Sequence, residues 1–214
     1  MKAKIYQLNP QKPDREIIEM VCDSLAKGAI VSYPTETFYG LGASIHSDEA
    51  IERIFTIKGR EEGKPLPLII PDRDILKELS LEIPGIALSL IEKFWPGGLT
   101  LIFWASPGVS PRITGGTGKI GVRISSHPIA QKIVSILKVP ITATSANLSG
   151  EKNCSTAQEV SDLLGDKIDI ILDGGKTEGI LSSTVLDLTQ TPPKILREGV
   201  IGKEKISPYF SPLL

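Results

Sequence analysis

The spacing of apolar positions changes period several times along the chain. Ile5, Tyr6 and Leu8 form a short apolar stretch that ends at "NPQKPD", and this predicts a first strand. "DREIIEMVCDSLAKG" then shifts to helical spacing. Ile17, Ile18, Val21 and Leu25 share one face, Asp14 is placed to cap the start, and Gly28 stands beyond the end. "AIVSY" returns to a short buried strand. "SDEAIERIFTIKG" predicts a second helix, capped by Ser47 or Asp48, with Ile51, Ile54, Phe55 and Ile57 on the apolar side and Gly59 as the residue that ends it. "PLPLII" is extended, because its prolines exclude a helix interior. "PGIALSLIEKFWPGG" is a helix bracketed by Pro84 and Pro96, and "HPIAQKIVSILK" is one opened by Pro128. "LTLIFWA", "KIGVRIS" and "PITATSAN" read as strands. "TAQEVSDLLGD" is a helix capped by Ser155 or Thr156. "IDIILDGG", "STVLDL" and "KILREG" are late strands, and "ISPYFSPLL" reads as a tail on the surface. Strands and helices are thus interleaved without clean alternation. This favours an α/β domain around a mixed, twisted sheet over a doubly wound fold.

Composition adds bounds. The 214 residues suit one sizeable core. A hydrophobic fraction of 41% with 23% charged residues is ordinary for a soluble globular protein. A net charge of −1 means that any nucleic-acid surface has to be a local patch. Cys22 and Cys154 stand far apart and in no CxxC pattern, which argues against a disulfide framework or zinc site and fits a cytoplasmic location. The N-terminus lacks the apolar core of a signal peptide, and no run reaches membrane-span length, so no membrane partner is expected.

Several strands end in small polar residues. "SYPTET" supplies Thr35, Glu36 and Thr37; "TATSANLSG" supplies Thr144, Ser145, Asn147 and Ser149; "SST" supplies Ser182, Ser183 and Thr184; "ILREG" supplies Arg197. Each cluster alone is also what caps and turns require. Three of them, each after an apolar strand, point to a shared site at strand ends. In "TIKGREEGKPL", Lys58 and Arg60 read as an exposed basic pair suited to a phosphate chain, with Lys64 a possible third cation. On that reading, truncating Lys58 or Arg60 costs activity with little effect on folding. Arg123, ending "GVR", can be an ion-pair partner or a clamp for a carboxylate. His127 reads as a cap or surface residue, and Phe94, Trp95 and Trp104 as core. No phosphate-binding GxxxxGK[ST] loop, GxGxxG turn, GxSxG elbow or cluster with metal-ligand spacing occurs. The remaining chemistry is positioning and charge stabilisation at an anion site, without an enzyme nucleophile.

In order and spacing, "PTETFYGLG", "KGR" followed by "KPL", "GVRISSHP", "TATSANLSG", "SSTVLDL" and "ILREG" resemble the YrdC-like family, from about Ile17 to Gly202. Its characterised members are L-threonylcarbamoyladenylate synthases. The resemblance implies a single α/β domain over residues 1–214, with a core of about 14–202, a short C-terminal tail at 203–214 and no room for the extra C-terminal domain of longer members. A twisted mixed sheet with flanking helices would surround a concave cavity. The implied reaction joins L-threonine, bicarbonate and ATP into threonylcarbamoyl-AMP and pyrophosphate, with Mg2+ carried by the nucleotide and no protein metal site. A partner complex would then transfer the threonylcarbamoyl group to an adenosine of tRNA.

By the same resemblance, Lys58, Arg60, Ser145 and Asn147 form the catalytic tetrad. Arg60, Lys64, Lys119, Ser145, Asn153 and Arg197 meet ATP. Thr35, Thr37, Arg123, the backbone at Ala143, and Ser183 hold L-threonine, with Gly40 and Gly42 letting the backbone turn close to it. Ile69 stands where many synthases have a histidine, and Lys119 where a threonine is usual. A paralogue with a different or weaker activity, or a module binding double-stranded RNA or tRNA, are the other readings.

Overall fold

The computed structural model describes residues 2–59 and 63–210. From the N-terminus, strand β1 (Lys4–Gln7) leads to helix α1 (Arg15–Ala26), whose first turn is closed by the Asp14 carboxylate accepting from the Glu16 and Ile17 N–H groups. β2 (Val31–Pro34) and β3 (Tyr39–Gly42) form a hairpin. α2 (Asp48–Lys58) is capped by Ser47 and ends at Gly59, whose φ of 56° is left-handed. After β4 (Leu68–Ile69) come two elements that periodicity did not predict, the one-turn helices α3 (Leu76–Leu79) and, beyond α4 (Gly85–Phe94) and β5 (Leu99–Trp104), α5 (Pro111–Thr114). One turn is too short to display a period. β6 (Lys119–Arg123), α6 (Pro128–Leu137), β7 (Ile141–Thr142) and β8 (Thr144–Ser145) follow. α7 (Ala157–Leu164) opens with a capping box between Thr156 and Glu159. β9 (Ile170–Asp173), β10 (Thr184–Asp187), β11 (Lys194–Arg197) and α8 (Lys203–Ile206) complete the described chain, with a 3₁₀ turn at Ser207–Tyr209.

The expected mixed α/β architecture is present, and its strands divide between two sheets. One has the order β1-β9-β2-β3-β8, the other β11-β10-β5-β6-β4-β7. Each combines parallel and antiparallel pairs: β1 and β2 run parallel to β9, β10 runs parallel to β5, and β5 runs antiparallel to β6. The segment expected as one strand, "PITATSAN", is two. β7 pairs with β4 in the second sheet, and β8 pairs with β3 in the first. The break falls at Ala143, whose N–H donates to the Pro67 carbonyl at 2.7 Å, one position beyond the β4–β7 pairs.

Two apolar clusters cover the sheets. Ile18, Val21 and Leu25 of α1 and Ile129, Ile133 and Val134 of α6 pack with Val31, Tyr33, Ile69 and Leu172. The larger cluster joins α2, α4 and α7 to β3, β5, β6 and β10. The C-terminal segment departs from its reading as a surface tail. Ile206 is fully buried in the larger cluster, and the Tyr209 ring meets Phe94 edge-on at 5.8 Å. An apolar side chain at that spacing repays the ordering of one more helical turn. Among the aromatics expected in the core, Trp95 is buried with its indole N–H on the Leu99 carbonyl, whereas Trp104 is 40% exposed.

Candidate functional site

The two sheets enclose a cavity of about 610 Å³. Thr35 and Thr37 reach it from the β2–β3 hairpin, Ala143 and Ser145 from the crossing segment, and Lys119 and Arg123 from the two ends of β6. Asn153, Ser183 and Arg197 complete the polar wall. All five residues expected to hold an amino acid therefore line one cavity, as do Lys119, Ser145, Asn153 and Arg197 of those expected to meet a nucleotide. Lys64 is exposed and is not part of the wall, although its neighbour Pro65 is. Arg60 lies outside the described residues.

Lys58 differs from its reading as an exposed phosphate ligand. It is 3% exposed, and its ammonium donates to the Ser145 carbonyl at 2.6 Å, the Asn147 carbonyl at 2.7 Å and Asn147 Oδ1 at 2.9 Å. Three oxygens thus offset the cost of burying the charge. The Lys58 carbonyl accepts from Ser149 N–H, Ser145 Oγ donates to Asn147 Oδ1, and Asn147 Nδ2 donates to the Glu151 carbonyl. Lys58 and Asn147 thus brace, from behind, the wall that Ser145 presents to the cavity. The signal was in the helix period: Lys58 follows Ile51 and Ile54 on the buried face of α2.

Three cations face the cavity with different degrees of neutralisation. Lys119 pairs with Asp187 at 3.0 Å and lies 5.1 Å from the centre of the Trp104 ring. Burial alone would push the Asp187 carboxyl up, but hydrogen bonds from Thr189, Gln190 and Lys119 outweigh it and hold the group below its ordinary range. Arg123 pairs with Glu36 at 3.4 Å, without hydrogen-bond alignment. Arg197 donates through Nε to the Ser183 carbonyl and through Nη2 to Ser183 Oγ, each at 3.0 Å, and has no carboxylate partner among the described residues. Burial, and then the nearby Arg123 charge, lower its pKa. Thr100 Oγ1 also donates to Ser183 Oγ, so the Ser183 hydroxyl keeps its own proton to offer the cavity.

The hairpin tip is shaped by side chains rather than by glycine turns. Gly40 and Gly42 lie within β3 and not in a turn, contrary to the sequence reading. A Cβ on Gly42 would stand 2.7 Å from the Tyr33 ring, so this glycine makes room for an aromatic below the site. At the tip, Thr35 and Thr37 hydroxyls are 3.0 Å apart, and Thr35 Oγ1 donates to the Phe38 carbonyl. His127 is a cap, as read: its Nδ1 accepts from Ile129 N–H, and burial lowers its pKa against the pull of Glu36. Ile69 is fully buried beside Arg123 in the parallel β4–β6 register and does not line the cavity. Sequence reasoning gave no role to Ser125, Thr100 or Asp187, whose partners Glu36, Ser183 and Lys119 are distant in the chain.

A family model for Sua5, YciO and YrdC, described as telomere recombination, matches residues 23–199. A threonylcarbamoyl-AMP synthase from Pyrococcus abyssi is 41% identical over 88% of this chain and 56% of its own length. This chain thus spans little more than half of that relative. The structure of P. abyssi Sua5 complexed with L-threonine superposes with a TM-score of 0.92 at 39% identity, over 96% of this chain and 60% of that one. E. coli YciO superposes with a TM-score of 0.87 at 31% identity, over 95% of this chain and 98% of that one. With the family model covering most of the sequence and two members sharing its fold at these identities, the chain belongs to the Sua5/YciO/YrdC family.

Proposed function

We propose that this chain is an L-threonylcarbamoyl-AMP synthase, using L-threonine, bicarbonate and ATP and releasing pyrophosphate. The observation that carries the reading is the convergence of hydroxyls and guanidinium groups from separate strands on one cavity, in a chain related to synthases of that name. The threonine amine takes up the bicarbonate carbon, an N–C bond forms as one C–O bond breaks, and a carbamate and water result. A carbamate oxygen then attacks the α-phosphorus of ATP, the bond to the β-phosphate oxygen breaks, and pyrophosphate leaves. No enzyme nucleophile is required, so the protein contributes orientation and charge.

In this reading Arg123 grips the threonine carboxylate, Thr35, Thr37 and Ser183 complement its other polar groups, and the Ala143 backbone completes the pocket. Lys64, Lys119, Ser145, Asn153 and Arg197 serve the nucleotide, joined by Arg60. Lys58 and Asn147 act by holding Ser145 in place. Mg2+ bound to the nucleotide phosphates would supply charge neutralisation there. The carboxylates beside the cavity, Glu36 and Asp187, are committed to Arg123 and Lys119, which suits a metal held mainly by phosphate and water. The product passes to a threonylcarbamoyl-transfer complex acting on tRNA in the cytoplasm.

Incubation with ATP, bicarbonate and single amino acids, scored by pyrophosphate release, tests the reading. Threonine is expected first and serine second, with valine and 2-aminobutyrate nearly inert, because a site that pairs with a hydroxyl rejects substrates without one. Absence of stimulation by any amino acid removes the assignment. It would favour a second reading, a paralogue with another acceptor, which Ile69 in place of the family histidine motivates.

A further inference from the structure

Arg123 is buried, with 7% of its side chain exposed, yet it lines the cavity. Its Nε is shut away from solvent and faces Glu36 Oε1 at 3.4 Å. Its two terminal nitrogens donate to no described residue, so they are the part of the guanidinium that the cavity can use. Glu36 does not line the cavity itself, and 15% of its side chain is exposed. Its other oxygen, Oε2, accepts from the hydroxyl of the fully buried Ser125. Ser125 Oγ in turn accepts from the His127 N–H at 3.2 Å, one residue before α6 begins. A line of contacts therefore runs from the start of α6 through Ser125 and Glu36 to the back edge of Arg123.

We propose that Glu36 is a positioning residue: anchored by Ser125, it holds Arg123 by the Nε edge and keeps the two terminal nitrogens turned to the cavity as a receptor for the substrate carboxylate. The inference rests on the reading of Arg123 as the amino-acid clamp. Its physical basis is that a guanidinium grips a carboxylate through two parallel N–H groups only when its plane is fixed. A lone cation so deeply buried would bend toward water and lose that orientation. Fold stability alone does not call for this pair, since Oε1 and Nε lack hydrogen-bond alignment and apolar residues of the same volume fill such a space equally well. Glu36 touches no substrate in this arrangement and acts through Arg123.

The test compares Glu36→Gln, Glu36→Ala and Ser125→Ala with the unmodified chain by two readouts. The first is the KM for threonine and for ATP in pyrophosphate release. The second is the exchange with water of the Arg123 Nε–H, followed by nitrogen-resolved magnetic resonance and assigned by its loss in Arg123→Lys. Glu36→Gln keeps the side-chain size and an acceptor for Ser125 while removing the charge. Both Glu36 variants are expected to raise the threonine KM about tenfold or more, with the ATP KM within about twofold and faster exchange at Arg123. Ser125→Ala shifts both readouts the same way by less. A Glu36→Gln chain with unchanged or lower threonine KM and a still-protected Nε–H overturns the proposal. Should Glu36→Ala not fold, Glu36→Gln decides alone. If the unmodified chain shows no amino-acid dependence, the synthase reading falls, and the exchange readout still decides: loss of protection in Glu36→Gln supports the positioning role, and unchanged protection ends it.

Discussion

Lys58 and Arg197 are both cations drawn from polar motifs, yet the first is buried and the second keeps much of its surface open to solvent. The Lys58 ammonium is enclosed by three oxygens of the Ser145–Asn147 segment, behind the cavity wall. The Arg197 guanidinium hangs from one residue, Ser183, and faces the cavity with no carboxylate beside it among the described residues. The first charge is spent on the protein, and the second is available to a ligand. A basic motif therefore names the residue type, while the oxygens around it decide whether the charge supports the wall or serves the chemistry.

The contrast is breakable, and the largest effect is expected at Arg197. Arg197→Ala should lower pyrophosphate release by about 10²–10³ in turnover, the usual loss when one charge-assisted contact leaves a transition state. Its thermal unfolding should stay close to that of the unmodified chain. Lys58→Ala should instead act on the fold. Stranding buried acceptors costs about 1.5–3 kcal/mol when the lost donor was charged, and denaturant unfolding should show it. A Lys58→Ala chain that unfolds normally and loses only activity would return Lys58 to the phosphate.

Lys119 is intermediate. Its charge is taken by Asp187, so Lys119→Met should change the ATP KM by no more than about fivefold. A larger rise would mean that the ion pair opens for the nucleotide. The smallest effect is expected from His127. Burial depresses its pKa below its ordinary value of 6.5, so the folded chain resists a proton that the unfolded chain accepts. The associated stability is complete above that value and is lost as pH falls through it. Urea midpoints should drop between about pH 7.5 and 5.5 in the unmodified chain, and less in His127→Asn, which keeps a capping side chain. Equal slopes would place the acid sensitivity elsewhere.

Much of the frame was legible in the sequence because it is written locally. α1, α2 and α6 each show an apolar face, a capping residue before the first turn and a stop after the last. The strand-end hydroxyl clusters announced a shared site for the same reason: each is a short motif after an apolar run. What escaped was either too short to have a period, like α3 and α5, or set by partners remote in the chain. The pairing of Glu36 with Arg123 and Ser125, and of Lys119 with Asp187, has no local signature. Nor does the break at Ala143, where "TATSA" contains no glycine or proline to mark a change of sheet.

That change of sheet makes residues 141–145 a place where chain length matters as well as side-chain chemistry. Ile141 and Thr142 pair with β4 and also reach Ser44 and Ala43 just beyond β3, while Thr144 and Ser145 pair with β3, so this one segment ties the two walls of the cavity together. Adding or deleting one residue there would invert the facing of everything on one side of it, sending Ser145 away from the cavity or Thr142 out of the core. Substitutions that keep the count leave that facing in place, whereas a frame-preserving insertion of one codon would dismantle the site without replacing any residue in it.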